Sequence, residues 1–456
     1  MTKNGHALRW LSGAVSVLLV TAACQDVTKT PAERGFAPTL SRSTSATPAR
    51  HVFVMNGGVP SDFSSRVTAA GGTIVNSMDA IGVVVTEGLS DSDATALAGQ
   101  NSVAPDYVAQ WIPSSEQMQL TTMSLAEPVD MTSTRPPASA AFLPLQWNMS
   151  QVSAPQAWLT GRTGSPSVRV AILDTGLDPY HLDQRGLIDV AASTAFVPST
   201  LGPPAWTDDV FHGTMVGSIV TSNDVGVAGV APNVTLIAVK VLGANGTGSF
   251  SNVIGGIYYA TDVAKAQIIN MSLGAHFPKN IPGASTLLAA MNRAINHAHS
   301  AGVLVVSAAG NDSTDLQHDR NFVDLPCEAG VQMCVSATGA ADEHPVYSNY
   351  GVNSISVAAP GGDGPPSTST WIIGPCSSRV CGSTGSYVIA IGTSFSAPHV
   401  AGLAAYLDSQ AGGLLNASQL TALIQKNATD LGKPGADPYF GKGEINVLKT
   451  ISASQP

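Results

Sequence analysis

Charge is scarce in this chain: Asp, Glu, Lys and Arg make up 11% of 456 residues, and 31 acidic residues outnumber 21 basic ones for a net charge of −10. With no Lys/Arg-rich tail and no basic stripe, the sequence excludes nucleic acid as a partner. Aromatic residues are also few, at 6%, whereas 44% of the chain is hydrophobic. Such a chain can bury a large core of aliphatic and small side chains, and it is not a disordered polymer. Long apolar runs are missing beyond the start. There Lys3 and Arg9 precede an apolar stretch over 10–23 that is too short to span a membrane, so residues 1–24 read as an export signal.

Cysteine is limited to five residues. Val20-Thr21-Ala22-Ala23-Cys24 resembles the bacterial lipoprotein box, in which the cysteine is lipidated, although Thr21 stands where leucine is usual. An ordinary signal cleaved after small residues is the alternative. Assigning Cys24 to the anchor leaves Cys327, Cys334, Cys376 and Cys381, an even number in an oxidising compartment. Each of the pairs Cys327/Cys334 and Cys376/Cys381 brackets a short loop, and these are the expected disulfides, although four cysteines allow three connectivities. A four-cysteine zinc site is the competing reading, against which the spacings argue.

What the chain does have is a serine at the mouth of a small-residue helix: Gly392-Thr393-Ser394-Phe395-Ser396-Ala397-Pro398-His399. Gly392 permits a tight turn, Thr393 is a good N-cap, and the free N–H groups of a helix start face negative charge developing on an attacked carbonyl. Two further segments join it. Val170-Ala171-Ile172-Leu173-Asp174 is an apolar strand ending in a carboxylate, and His212-Gly213-Thr214 opens an apolar helix. A serine hydroxyl needs a base of near-neutral pKa within reach, and a carboxylate fixes that base's tautomer.

These three motifs, in this order, resemble those of the subtilisin-like serine peptidases over roughly residues 142–450. The resemblance implies that Ser394 is the nucleophile, His212 the general base and Asp174 its orienting carboxylate, with Asn311 in Ala308-Ala309-Gly310-Asn311 donating to the oxyanion. It also implies that Gly246-Thr247-Gly248 and Ser272-Leu273-Gly274 clasp an extended substrate as an added strand, so proteins or peptides are the substrates. The chain departs from the family at Met215, where histidine usually repeats, and at Phe395, where methionine is common. Both keep apolar bulk. His399, far round the helix from Ser394, is expected to be a packed core side chain.

The fold expected for residues 142–456 is a doubly wound α/β sandwich with a mostly parallel sheet. Nearly continuous apolar strands are read at 168–173, 234–241, 267–270, 303–307 and 331–337, alternating with helices at 251–265, 285–300 and 394–407. Residues 25–50 read as a flexible tether rich in Ser, Thr and Pro. Residues 51–112 follow the order of a small ferredoxin-like α+β domain, with strands at 51–55, within 73–86 and at 107–112, and helices at 62–70 and 90–99. Its position resembles that of the family's propeptide, which implies an intramolecular inhibitor and folding template released by self-cleavage in a linker over 113–141.

No cofactor is expected for the chemistry. The resemblance implies a structural calcium ion held by Asp183 and Asn223, with carbonyls of Thr221, Val225 and Val227, although Leu143 stands where some relatives supply a glutamine. Asp312 and Asp324 are expected near the specificity pocket, where they would favour basic P1 residues. The enzyme is expected to be an exported monomer, touching membrane only through the lipid anchor. The alternatives are a catalytically silent peptide-binding relative and an esterase, of which the second leaves the strand-clasping segments unexplained.

Overall fold

A computed structural model of the protein describes residues 40–42, 49–112, 118–125, 135–365 and 367–453. The expected export signal, Cys24 and most of the tether lie outside these residues. Alternating apolar positions divided by turn residues give β1 (Arg50–Val54), α1 (Phe63–Ala69), β2 (Thr73–Met78), β3 (Val83–Glu87), α2 (Asp91–Ala98) and β4 (Ser102–Pro105). The four strands form one antiparallel sheet in the order β2-β3-β1-β4. Ser90 starts α2 by accepting the Asp93 N–H. Phe53, Phe63, Val67 and Leu89 pack together on one face of the sheet. On the other face Val52, Val54, Val83 and Val85 join the core of the larger domain.

The expected last strand at 107–112 is not part of this sheet. Residues 102–105 close it, and β5 (Tyr107–Gln110) leaves to pair with the larger domain. Asp106 makes the break: its buried carboxylate accepts both the N–H and the hydroxyl of Ser251, in the first turn of a helix of the larger domain. Arg293 ties the same interface, donating to the Met55 carbonyl at 2.7 Å and the Ile81 carbonyl at 3.1 Å. Part of the expected linker is also a strand, β6 (Met118–Ser124).

The larger domain continues with β7 (Arg169–Asp174), β8 (Thr194–Ala195), α3 (His212–Val220), β9 (Thr235–Lys240), β10 (Thr247–Ser249), α4 (Phe250–Tyr258) and β11 (Ile268–Met271). Then come β12 (Ala275–Pro278), α5 (Ala284–Ser300), β13 (Leu304–Ala308), β14 (Phe322–Leu325), β15 (Met333–Thr338) and β16 (Val357–Pro360). The chain closes on the hairpin β17 (Ile372–Pro375) and β18 (Ser386–Ala390), the long helix α6 (Thr393–Gln410), and two short helices. The sheet β16-β15-β13-β11-β7-β9-β8 is parallel throughout.

Period-two alternation splits each central strand between two cores. Val170, Ile172, Leu236, Ile268 and Val306 face Met215, Val216, Val400 and Leu403 of α3 and α6. Ala171, Leu173, Ile237, Val239 and Val305 face Val253, Ile257, Leu287 and Met291 of α4 and α5. The chain passes from β7 to β9 on one side and to β11 on the other, so the crevice expected to hold a ligand opens at the carboxyl ends of these strands. Both expected disulfides are formed, Cys327–Cys334 and Cys376–Cys381. Among the described residues no helix is long and apolar enough to cross a membrane.

Candidate active site

Asp174 is the last residue of β7, His212 the first of α3 and Ser394 the second of α6, while Asn311 follows the end of β13. The His212 imidazole meets the Asp174 carboxylate through Nδ1, at 2.8 Å from Oδ1 and 3.0 Å from Oδ2. Asp174 is fully buried, and its Oδ1 also accepts the Thr175 N–H at 2.7 Å. One glycine makes room. A Cβ on Gly213 would stand 2.1 Å from the Gly176 carbonyl oxygen and 3.2 Å from the Asp174 Cβ, so only glycine lets α3 come this close to the end of β7. The Phe395 ring, next to Ser394, lies 5.5 Å from the His212 ring. The Phe395 departure thus builds the wall behind the histidine.

Asn311 and Ser394 are joined through Thr393, whose N–H and hydroxyl both donate to Asn311 Oδ1, at 2.8 and 3.0 Å. Thr393 is therefore not the N-cap. Gly392 takes that position, and the threonine hydroxyl instead accepts the Gly310 N–H. With Oδ1 occupied, the Asn311 amide is held with its Nδ2–H group turned from Thr393, beside Gly392. His399 is fully buried and makes two hydrogen bonds, to the Phe395 carbonyl and to Asn148. Burial pushes its pKa down to about 4, so it stays neutral in the core.

Three supporting residues escaped the sequence reading. Asp208 accepts the N–H and hydroxyl of Thr214 and the hydroxyl of Thr175, which in turn accepts the Gly213 N–H. This pins the start of α3 to the end of β7. Lys240 is fully buried, 3.4 Å from Asp209, and donates to the carbonyls of Thr175 and Leu242. The available signal was an acidic pair just ahead of a helix, at Asp208 and Asp209.

The two expected clasping segments already hold a strand of the chain itself. β5 runs antiparallel to β10, with Gln110 opposite Thr247 and Ala109 opposite Gly248. The N–H groups of Trp111 and Ile112 then donate to the Gly246 carbonyl at 3.0 and 3.2 Å, and the Trp111 carbonyl accepts the Gly274 N–H at 2.8 Å. The Trp111 ring is buried, 4.9 Å from that of Phe250, and its indole N–H donates to the Gly248 carbonyl. Beyond this segment, β6 pairs antiparallel with β18, setting Met118 opposite Ala390.

Asp183 and Asn223, expected to hold calcium, do not fit that ion. Both oxygens of Asp183 are taken by hydrogens, from the N–H groups of Val225, Gly226 and Val227 and the Tyr387 hydroxyl. The Val225 carbonyl accepts the Ala141 N–H, and the Val227 carbonyl accepts the Ser222 hydroxyl. A hard cation needs six or more oxygens with lone pairs turned inward. Here Asp183 and the Val225 and Val227 carbonyls are turned to protein hydrogens, and Asn223 donates its Nδ2 group to the carbonyls of Leu182 and Arg185.

Beside Asp183 sits Asp224, buried and left-handed at φ 59°, whose pKa is raised to about 8 by burial and then by repulsion from Asp183. Its folded pKa lies above the ordinary value of about 4. Ionisation therefore costs stability progressively as pH rises from there through about 8. Asn accepts the left-handed conformation. Asp224→Asn should melt at the same temperature as wild type near pH 4 and several degrees higher at pH 9, as measured by differential scanning calorimetry on a self-cleavage-deficient background.

Comparison with known proteins agrees with this geometry. The model of the subtilase family matches residues 165–443. Alkaline elastase YaB of Bacillus sp. (strain YaB) is 36% identical over 303 residues, covering 66% of this chain and 68% of the elastase. Subtilisin of Bacillus pumilus is 35% identical over 303 residues, covering 66% of this chain and 96% of that protein. Among solved structures, a lanthipeptide protease superposes with a TM-score of 0.59 at 26% identity, covering 69% of this chain and 96% of its own. The epidermin leader peptide processing serine protease of Staphylococcus aureus shares the fold with a TM-score of 0.69 at 21% identity, over 90% of this chain and 99% of its own. This chain belongs to the subtilase family and is a subtilisin-like serine endopeptidase.

Proposed function

We propose that this protein is an exported endopeptidase made as a self-inhibited, self-processing precursor, with Ser394 as nucleophile, His212 as general base and Asp174 as orienting carboxylate. The His212–Asp174 bond through Nδ1 leaves Nε2 for the serine proton. His212 returns that proton to the leaving amine, and water then releases the acyl group from Ser394. Charge on the attacked oxygen is met by the Ser394 N–H at the start of α6 and by Asn311 Nδ2. Export by the N-terminal signal, with an anchor at Cys24, and inhibition by the small domain complete the reading.

One observation carries the precursor reading. Trp111 and Ile112 lie hydrogen-bonded between Gly246 and Gly274, whereas Met118 lies opposite Ala390, which only Ile391, Gly392 and Thr393 separate from Ser394. Ile112 and Met118 thus bracket the stretch of sequence in which cleavage belongs. In Ser394→Ala the chain should remain full length, and in wild type the new amino terminus should map between those residues by intact mass. The catalytic fragment should also become soluble on cell fractionation while the variant stays with the membrane. Processing of Ser394→Ala, or a cut far from this stretch, would sink the proposal.

Asn311→Ala should lower kcat about 10²- to 10³-fold with little change in KM, since the lost bond is made in the transition state. Steady-state assays of the processed enzyme check this.

On other substrates the same site favours basic P1 residues, a preference separate from self-processing, since residues 112–118 carry no Lys or Arg. Asp324 is buried at the end of β14, and its Oδ1 would be 3.7 Å from a Cβ on Gly310, the residue before Asn311. Its partners are Asn349 and His276, the latter at 3.1 Å, and burial raises its pKa. Asp312 is exposed at the same end. A Lys or Arg side chain reaching this carboxylate gains a charge-assisted bond. In a P1 peptide library, Asp324→Asn should lower kcat/KM for Lys and Arg about tenfold while sparing apolar P1. A flat profile unchanged by the substitution would overturn the preference.

A further inference from the structure

The site that fails to fit calcium is organised around a phenol. Asp183 lies at the bottom of the 221–229 loop, fully buried, and its carboxylate would be costly there without compensation. Compensation comes from four hydrogens. Val225 N–H donates to Oδ1 at 2.8 Å, Gly226 N–H to Oδ2 at 3.1 Å, Val227 N–H to Oδ2 at 3.2 Å and the Tyr387 hydroxyl to Oδ2 at 2.6 Å. Three successive backbone N–H groups turned on one anion make a nest, which neutralises charge as a cation would.

Tyr387 is built into this place from every side. It is fully buried, its ring meets His181 edge-on at 5.1 Å and Phe142 at 5.0 Å, and a Cβ on Gly226 would stand 2.2 Å from its hydroxyl oxygen. Only glycine at 226 admits the phenol. His181 completes the frame, accepting the Asp183 N–H on Nδ1 and donating from Nε2 to the Ser386 carbonyl. The outer side of the loop is closed by the start of the catalytic region. Ala141 and Phe142 donate their N–H groups to the Val225 and Gly226 carbonyls, and Gln146 pairs through its amide with both backbone groups of Ala228.

We infer that the Tyr387 hydroxyl replaces a structural cation, so that the 221–229 loop is held closed by protein hydrogens alone and needs no divalent metal. The inference depends on the Asp183 environment and not on the assignment of Ser394. Two consequences follow from the same contacts. The loop is tied through Tyr387 to β18, the strand that leads into Ser394. Ala141 and Phe142 must also stay on the catalytic fragment, because they supply two of the loop's hydrogen bonds.

The test is hydrogen exchange of peptides covering 221–229 in full-length Ser394→Ala protein, which removes self-digestion, in buffer with EDTA and in buffer with excess CaCl₂. The amides of Val225, Gly226 and Val227 should be equally protected in both. In the same background, Tyr387→Phe removes one bond to a charged acceptor and should speed their exchange about ten- to a hundredfold, with no recovery on adding CaCl₂. If that variant does not fold, Asp183→Asn provides the second reading: it keeps the side chain's shape while losing the charge, and should open the same amides in either buffer. Protection lost in EDTA and restored by CaCl₂ in the parent protein would overturn the inference. So would unchanged exchange in whichever variant folds.

Discussion

The hydrogen bond between Asp174 and His212 is the constraint around which the rest of the centre is arranged. It requires a carboxylate with no exposure to solvent at the end of a central parallel strand, and such a charge is tolerated only when its oxygens are fully used. Thr175 N–H and the imidazole use them. The imidazole must then be held in place, which Asp208 does by pinning the first turn of α3, and Gly213 permits by its missing side chain. The buried Lys240, paired with Asp209 and capping the carbonyls of Thr175 and Leu242, counters the acidic residues gathered there. The chemistry proposed for His212 thus rests on a network reaching from β7 to β9.

The clasp follows a different physical rule. Gly246 to Ser249 and Gly274 hold a strand of the chain itself through backbone groups, so under the proposed role any extended chain that reaches them competes with substrate. Trp111 adds what the backbone cannot, a ring buried against Phe250. The small domain buries one sheet face on α4 and α5 as well, and Asp106 caps α4. A parallel sheet assembled from distant strands folds slowly. A partner that organises α4, α5 and β10 together therefore suits both halves of the proposed role, template and inhibitor.

Much of the centre was legible because its chemistry depends on residue types placed at the ends of periodic segments. The apolar run ending in Asp174, the His-Gly-Thr before an apolar helix and the Gly-Thr-Ser before another are visible without coordinates. Both disulfides could be read from short loop spacings as well. Features made by tertiary contact were not visible. The sequence over 118–124 has no pattern demanding a strand, and it becomes one because β18 offers an unpaired edge. Thr393 looks like a cap, yet its hydroxyl serves Asn311. Asp183 looks like a cation ligand because oxygen-bearing residues carry no mark of which atoms will face them, and its partners are mostly backbone N–H groups.

One short strand gathers these threads. β18 presents its edge to β6 and its Tyr387 to Asp183, and through Ile391 to Thr393 it runs on to Ser394. A strand pinned on one side by a hairpin partner and below by a buried phenol cannot shift its register without breaking several hydrogen bonds at once. That rigidity suits the nucleophile proposed at Ser394, because oxyanion donors act only when the attacked carbonyl is placed to within a fraction of an ångström. Residues remote from Ser394, Tyr387 and Gly226 among them, thereby hold the strand that leads into it. Under the proposed role, they fix where Ser394 stands before any substrate arrives.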